Sequence, residues 1–125
     1  MNGAVIDVDR PGRGEQFAVT RGVAGAAVVS GELDASNAET LVQRLLAQGA
    51  GVPTLTVDLR PVTFLDCAAV GALAIVASTR RALWRRTVLL VSTGSSADRV
   101  LSLAEAARFV DGLLRFDPVP VAVAG

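Results

Sequence analysis

A lone thiol follows a carboxylate in the run Leu65-Asp66-Cys67-Ala68-Ala69-Val70-Gly71-Ala72. An acidic residue ahead of an uncharged, proline-free stretch is the pattern of a helix N-cap. Asp66 can then accept from the backbone N–H of Ala68 or Ala69, which puts Cys67 at the first helical position. There the thiol lies beside free N–H groups and the positive end of the helix dipole, while the Asp66 carboxylate acts on it in the opposite sense. The rest of the chain limits what this thiol can do. All twelve basic residues are Arg, and there is no His and no Lys; GC-rich coding DNA accounts most simply for that usage. A histidine general base, a histidine metal site and a Schiff-base lysine are therefore absent from these 125 residues. One cysteine also leaves no intrachain disulfide, no resolving thiol and no multi-cysteine metal site. No catalytic residue, metal or cofactor is expected. Two readings of Cys67 remain: a quiet small residue, or an oxidation-sensitive one whose sulfinate would add negative charge.

Small residues at 68, 69, 71 and 72 leave the start of this helix bare, so that another surface could approach its backbone. They would equally suit tight packing against the chain's own sheet, and opposite faces of one helix can serve both purposes. Four arginines, Arg80, Arg81, Arg85 and Arg86, follow at the far end. Cations there favour the helix dipole and cap carbonyls, and Trp84 among them reads as a residue at the edge of the core.

The elements that must position this junction follow from periodicity. Half the residues are hydrophobic, enough for one core and one domain. The formal charge is zero, so no global field draws the chain to nucleic acid or an anionic membrane. No apolar run approaches the roughly 20 residues needed to span a bilayer. The start lacks a signal-peptide core, and a soluble, cytoplasmic protein is expected. Phe17–Thr20 and Ala24–Ser30, around Arg21-Gly22-Val23, suggest a hairpin. Ser36 and Glu39 make a capping-box pattern before the stripe Leu41, Val42, Leu45 and Leu46, and Gly49 supplies the stop. Leu55, Val57 and Leu59 alternate with Thr54, Thr56 and Asp58 as a strand, joined to the Cys67 helix by a short connector. Thr87–Val91 reads as another strand. A helix from about Ala97 follows, with Val100, Leu101 and Ala104 inward, and Arg108–Val110 reads as a last short strand. Ala4, Val5, Ile6 and Val8 could add an edge strand. Strands alternating with helices imply βα units and a partly parallel sheet. In such sheets functional sites gather beyond the carboxyl ends of the parallel strands.

The segment from Val57 to Leu73 resembles the signature of STAS domains, in particular the bacterial anti-sigma factor antagonists. Their pattern of an aspartate, Ser-Ser-Gly, a hydrophobic residue and a glycine falls on Asp66, Cys67, Ala68, Ala69, Val70 and Gly71. The quartet Gly31-Glu32-Leu33-Asp34 is similar to the family's second-strand end. The resemblance covers roughly residues 15–112. It implies an α/β fold, a STAS-like mixed β-sheet of four or five strands packed by about four α-helices. The expected division is a flexible extension over 1–14, the domain over 15–116 and a tail over 117–125. It also implies a partner-binding surface made of Asp34, Asp66, Cys67, Ala68, Ala69, Val70 and Gly71, although Asp34 could instead serve only to cap a helix start. The partner would be an anti-sigma factor, a serine kinase of the histidine-kinase-like ATPase type, whose sequestration frees a sigma factor.

Cys67 departs from the family pattern. It occupies the place of the serine that accepts phosphate, so the usual switch is missing. Thr63, Ser36 and Ser92 are minor candidate acceptors. No direct nucleic-acid contact and no membrane insertion are expected. The rival readings are an accessory subunit of a membrane transporter and a thiol-based redox sensor.

Overall fold

The computed structural model describes residues 17–118. Among the described residues there are six strands and three α-helices. They are β1 (Phe17–Arg21), β2 (Ala27–Leu33), α1 (Ala38–Gln48), β3 (Thr54–Asp58), β4 (Val62–Leu65), α2 (Cys67–Arg81), β5 (Arg86–Ser92), α3 (Ser96–Leu103) and β6 (Gly112–Phe116). The sheet order is β1-β2-β3-β5-β6, with β4 also pairing β2. Among the described residues only β1 runs antiparallel to its neighbour; the remaining pairs are parallel, as helical crossover connections allow. This is the mixed α/β sheet expected, with one strand more and one α-helix fewer. Two 3-10 turns, Val23–Gly25 and Ala106–Arg108, complete the described residues.

Strand periodicity separates the two faces of the sheet. Ala27, Val29, Leu55, Val57, Leu89 and Val91 are fully buried and share one hydrophobic core with the helices. The intervening Val28, Thr56, Val88 and Leu90 are half-buried on the other face. In α1, Leu41 and Leu45 are completely enclosed, with Val42 and Leu46 beside them. Each buried leucine contributes about 2 kcal/mol of burial free energy.

Several local expectations change. The connector between β3 and the Cys67 helix is itself a strand. After Asp58 the chain turns at Arg60-Pro61, with the Val62 N–H donating to the Leu59 carbonyl at 3.0 Å. It then continues as β4 beside the second half of β2, pairing Gly31, Glu32 and Leu33 with Val62, Phe64 and Leu65. The capping box does not form: the Ser36 hydroxyl donates to Asp34, and no side chain caps the Asn37 end of α1. The last strand is not Arg108–Val110, which lies at a 3-10 turn and the bend after it, but Gly112–Phe116, parallel to β5. Ala104 is exposed, whereas Leu101 is buried and Val100 packs at the core edge. Trp84 is 95% exposed rather than a core-edge residue. The candidate strand at Ala4–Val8 lies outside the described residues.

Arg80 also departs from a simple helix-end cation. It is buried at 2% exposure, and its guanidinium donates to the carbonyls of Gly49, Val52 and Arg86 and to the Thr87 hydroxyl. One side chain thus ties the ends of α1 and α2 to the start of β5.

Candidate functional site: the Cys67 end of helix α2

Backbone pairing brings two distant stretches of sequence to one sheet edge. Leu33 is the register partner of Leu65, and the Asp66 N–H donates to the Leu33 carbonyl at 3.2 Å. Asp34 and Asp66, each one residue beyond its strand, therefore leave the sheet side by side. Both lie at the carboxyl ends of parallel strands, where this class of sheet places its sites.

The Asp66 carboxylate accepts from the Ala69 N–H at 3.1 Å, the N-cap expected from the sequence. Cys67 is the first residue of α2 and is exposed. Asp34 is held by its own loop. Its carboxylate accepts from the Ser36 hydroxyl and, at 2.9 Å, from the Ser36 N–H. These bonds, the hydroxyl's first, hold the Asp34 carboxyl below the usual carboxylate range. Asn37 fixes the same loop: its Oδ1 accepts from the Asp34 N–H at 3.0 Å and its Nδ2 donates to the Glu32 carbonyl at 2.9 Å. The result is a fixed negative charge beside the helix start.

The residues expected to contact a partner divide by face. Cys67 and Gly71 are exposed, and Asp34, Asp66 and Ala68 are half-exposed. Ala69 is fully buried and Val70 is 9% exposed. The Ala69 side chain belongs to the core because the helix turns it onto the sheet, and Val70 shows little more than an edge. Thr63 is exposed, with its hydroxyl donating to the Gly31 carbonyl at 3.3 Å.

Gly71 carries the most information. A Cβ built there would meet nothing within 4 Å. Glycine in a helix interior costs about 0.5–1 kcal/mol relative to alanine, and no packing in the fold requires it here. Two shallow apolar hollows flank this bare ridge. One, about 360 Å³, lies between α1 and α2 and is lined by Val42, Ala68, Gly71, Ala72 and Ile75, with Glu39 at its rim. The other, about 400 Å³, joins Cys67 and Val70 to Val100, Leu103 and Ala104 of the α3 region. Ile75 and Leu103 are 53% and 86% exposed. Neither was singled out from sequence, although Ala68, Gly71, Ala72 and Ile75 follow the spacing of one helical stripe. An apolar ridge with hollows on both sides and a carboxylate beside it suits docking.

The STAS domain profile matches residues 18–119. The chain belongs to the STAS domain family. Solved structures of similar fold include an anti-sigma factor antagonist from Mycobacterium paratuberculosis, with 23% identity and a TM-score of 0.63 over 78% of this chain and 85% of that one. The antagonist SpoIIAA in its unphosphorylated form matches at 24% identity and a TM-score of 0.52, covering 82% and 89% of the two chains. A Thermotoga maritima protein proposed to be an antagonist matches at 20% and 0.60, over 78% and 85%. The Cys67 end of α2 lies within the residues that the STAS profile matches.

Proposed function

We propose that this protein is an anti-sigma factor antagonist. It binds an anti-sigma factor of the serine-kinase ATPase type through the Cys67 end of α2 and so frees a sigma factor for transcription. The observation that carries this reading is Gly71. It is exposed, helical and free of any steric need for glycine, which leaves the backbone of α2 open to a close-packed partner. Asp34 adds a loop-fixed charge to the same edge. The similarity in fold to solved anti-sigma factor antagonists supports the same role.

Family logic makes the surface a switch: a phosphate brings about −1.5 to −2 charges to it. Burying such a charge unpaired costs several kcal/mol, and each 1.4 kcal/mol is tenfold in affinity. Cys67 does not enter ordinary serine phosphorylation. This protein therefore binds its partner without phosphate control at residue 67.

Affinity capture from the native cell extract, with identification by mass spectrometry, tests the assignment. Wild-type protein should recover a kinase-type anti-sigma factor, and Asp66→Lys should lose it. Recovery of a transporter ATPase instead, or equal recovery by both proteins, would contradict the reading.

A further inference from the structure

The opposite end of α2 carries a feature that the partner surface at Cys67 does not use. Fifteen helical residues separate the two ends, about 22 Å at 1.5 Å per residue. At the far end the Trp84 N–H donates to the Arg81 carbonyl at 2.9 Å, and the Arg85 N–H to the Arg80 carbonyl at 3.0 Å. This pair of bonds is that of a Schellman cap, with Trp84 in the left-handed position that normally belongs to glycine. Its φ is +61°, a costly conformation for a bulky residue. The fold gets no packing in return, since Trp84 is 95% exposed and the preceding Leu83 57% exposed. Backbone strain at a side chain left almost wholly exposed points to a use outside the chain.

The surroundings indicate the chemistry. Arg81, Arg85 and Arg86 lie within three residues of Trp84. Arg85 and Arg86 form no ion pair among the described residues, and Arg81 shares Asp111 at 3.3 Å. The adjoining exposed Ala50, Gly51 and Pro53 are uncharged, and the buried Arg80 fixes that loop to the corner through Gly49 and Val52. A capped, exposed Trp-Leu tip with the half-buried Arg85 and the exposed Arg86 next to it in the chain suits a yielding, negatively charged surface, in which the ring sits among headgroups while arginines meet phosphates. We infer that the Leu83–Arg86 corner is a peripheral docking site for an anionic lipid surface, with Trp84 as the inserted side chain.

Trp84 is the only tryptophan, and the chain has no tyrosine, so its fluorescence reports the corner directly. The full chain is titrated with vesicles of phosphatidylcholine alone, with vesicles that also contain phosphatidylserine, and with soluble poly-glutamate. The expected result is a blue shift and co-sedimentation with the phosphatidylserine vesicles only, weakening as salt rises. Trp84→Gly removes the strain and keeps the cap. It should melt a few degrees higher than wild type, yet lose about tenfold in vesicle partitioning, a loss equivalent to 1.4 kcal/mol. Arg85→Glu should lose at least as much. Unchanged emission with every vesicle, or equal binding to neutral vesicles, would overturn the inference. So would undiminished binding by Trp84→Gly, and so would a response to poly-glutamate alone, which would make the corner a site for an acidic protein segment.

Discussion

In the proposed role, one atom at Cys67 removes a control and leaves the surface that carries it in place. The thiol lies at an exposed first turn, where the Asp66 carboxylate accepts the N-cap bond. Incubation with the cognate kinase and ATP should leave residue 67 unphosphorylated, whereas Cys67→Ser should take up phosphate there. Mass spectrometry of both proteins checks this, and phosphate in stoichiometric amount on the wild-type chain would contradict it. Arg80 is the residue on which the far end of the fold depends. Arg80→Met leaves three carbonyls and a hydroxyl without their shared donor. It should cost about 2–4 kcal/mol in urea unfolding; a loss within error of zero would show that water replaces the guanidinium freely. At this scale Asp66 was legible in the sequence, because an N-cap is made by residues three positions apart. Arg80 and Trp84 were not. The partners of Arg80 lie about 30 residues upstream and just beyond the helix end, and the exposure of Trp84 depends on the cap that turns the chain there.

Among the elements, α2 runs from the Cys67 junction to the Trp84 corner and carries the bare face at Gly71. Gly71→Ala fills open space on an exposed helical turn. It should raise stability by about 0.5–1 kcal/mol, measured as a higher urea midpoint at unchanged slope; a lower midpoint would mean that the glycine has a structural role after all. The hairpin, α1, β3, α2 and β5 were readable because each carries its own period and its own boundaries. β4 was hidden because Pro61 and the short, irregular Val62-Thr63-Phe64-Leu65 read as a connector. Its strand character comes from pairing with β2 after the shift at Gly31/Glu32. β6 was missed for a similar reason. Asp111-Gly112 looks like a turn, yet Asp111 accepts from the Thr87 N–H at 2.8 Å and starts the strand in register beside β5. The failed capping box has a local cause: Ser36 bonds back to Asp34, and the buried Asn37 closes the loop on Glu32.

For the whole molecule, the carboxylates set the response to acid. Asp58 is held below the usual range by the Arg60 guanidinium, at 2.8 and 2.9 Å. Asp98 is held there by the Gly94 N–H and then Arg115, and Asp111 by the Thr87 N–H and then Arg81. Each folded pKa is depressed below its unfolded value. The stability these groups contribute is therefore complete above about pH 4 and is lost as pH falls through the folded values. No histidine titrates in the chain. Urea midpoints should stay level from about pH 5 to 8 and decline below about pH 4. Midpoints that hold level into strong acid would contradict this assignment of the three carboxylates.

In the proposed role a partner closes over the bare ridge at Gly71. Calorimetric titration of the captured anti-sigma factor against wild type and Gly71→Arg tests it most directly, with thermal melts to confirm that both chains are folded. The added side chain enters open space in the free protein, so the fold should survive while affinity falls by about a hundredfold or more, the scale of a hot-spot loss. Equal affinity for the two proteins would place the contact elsewhere on the molecule.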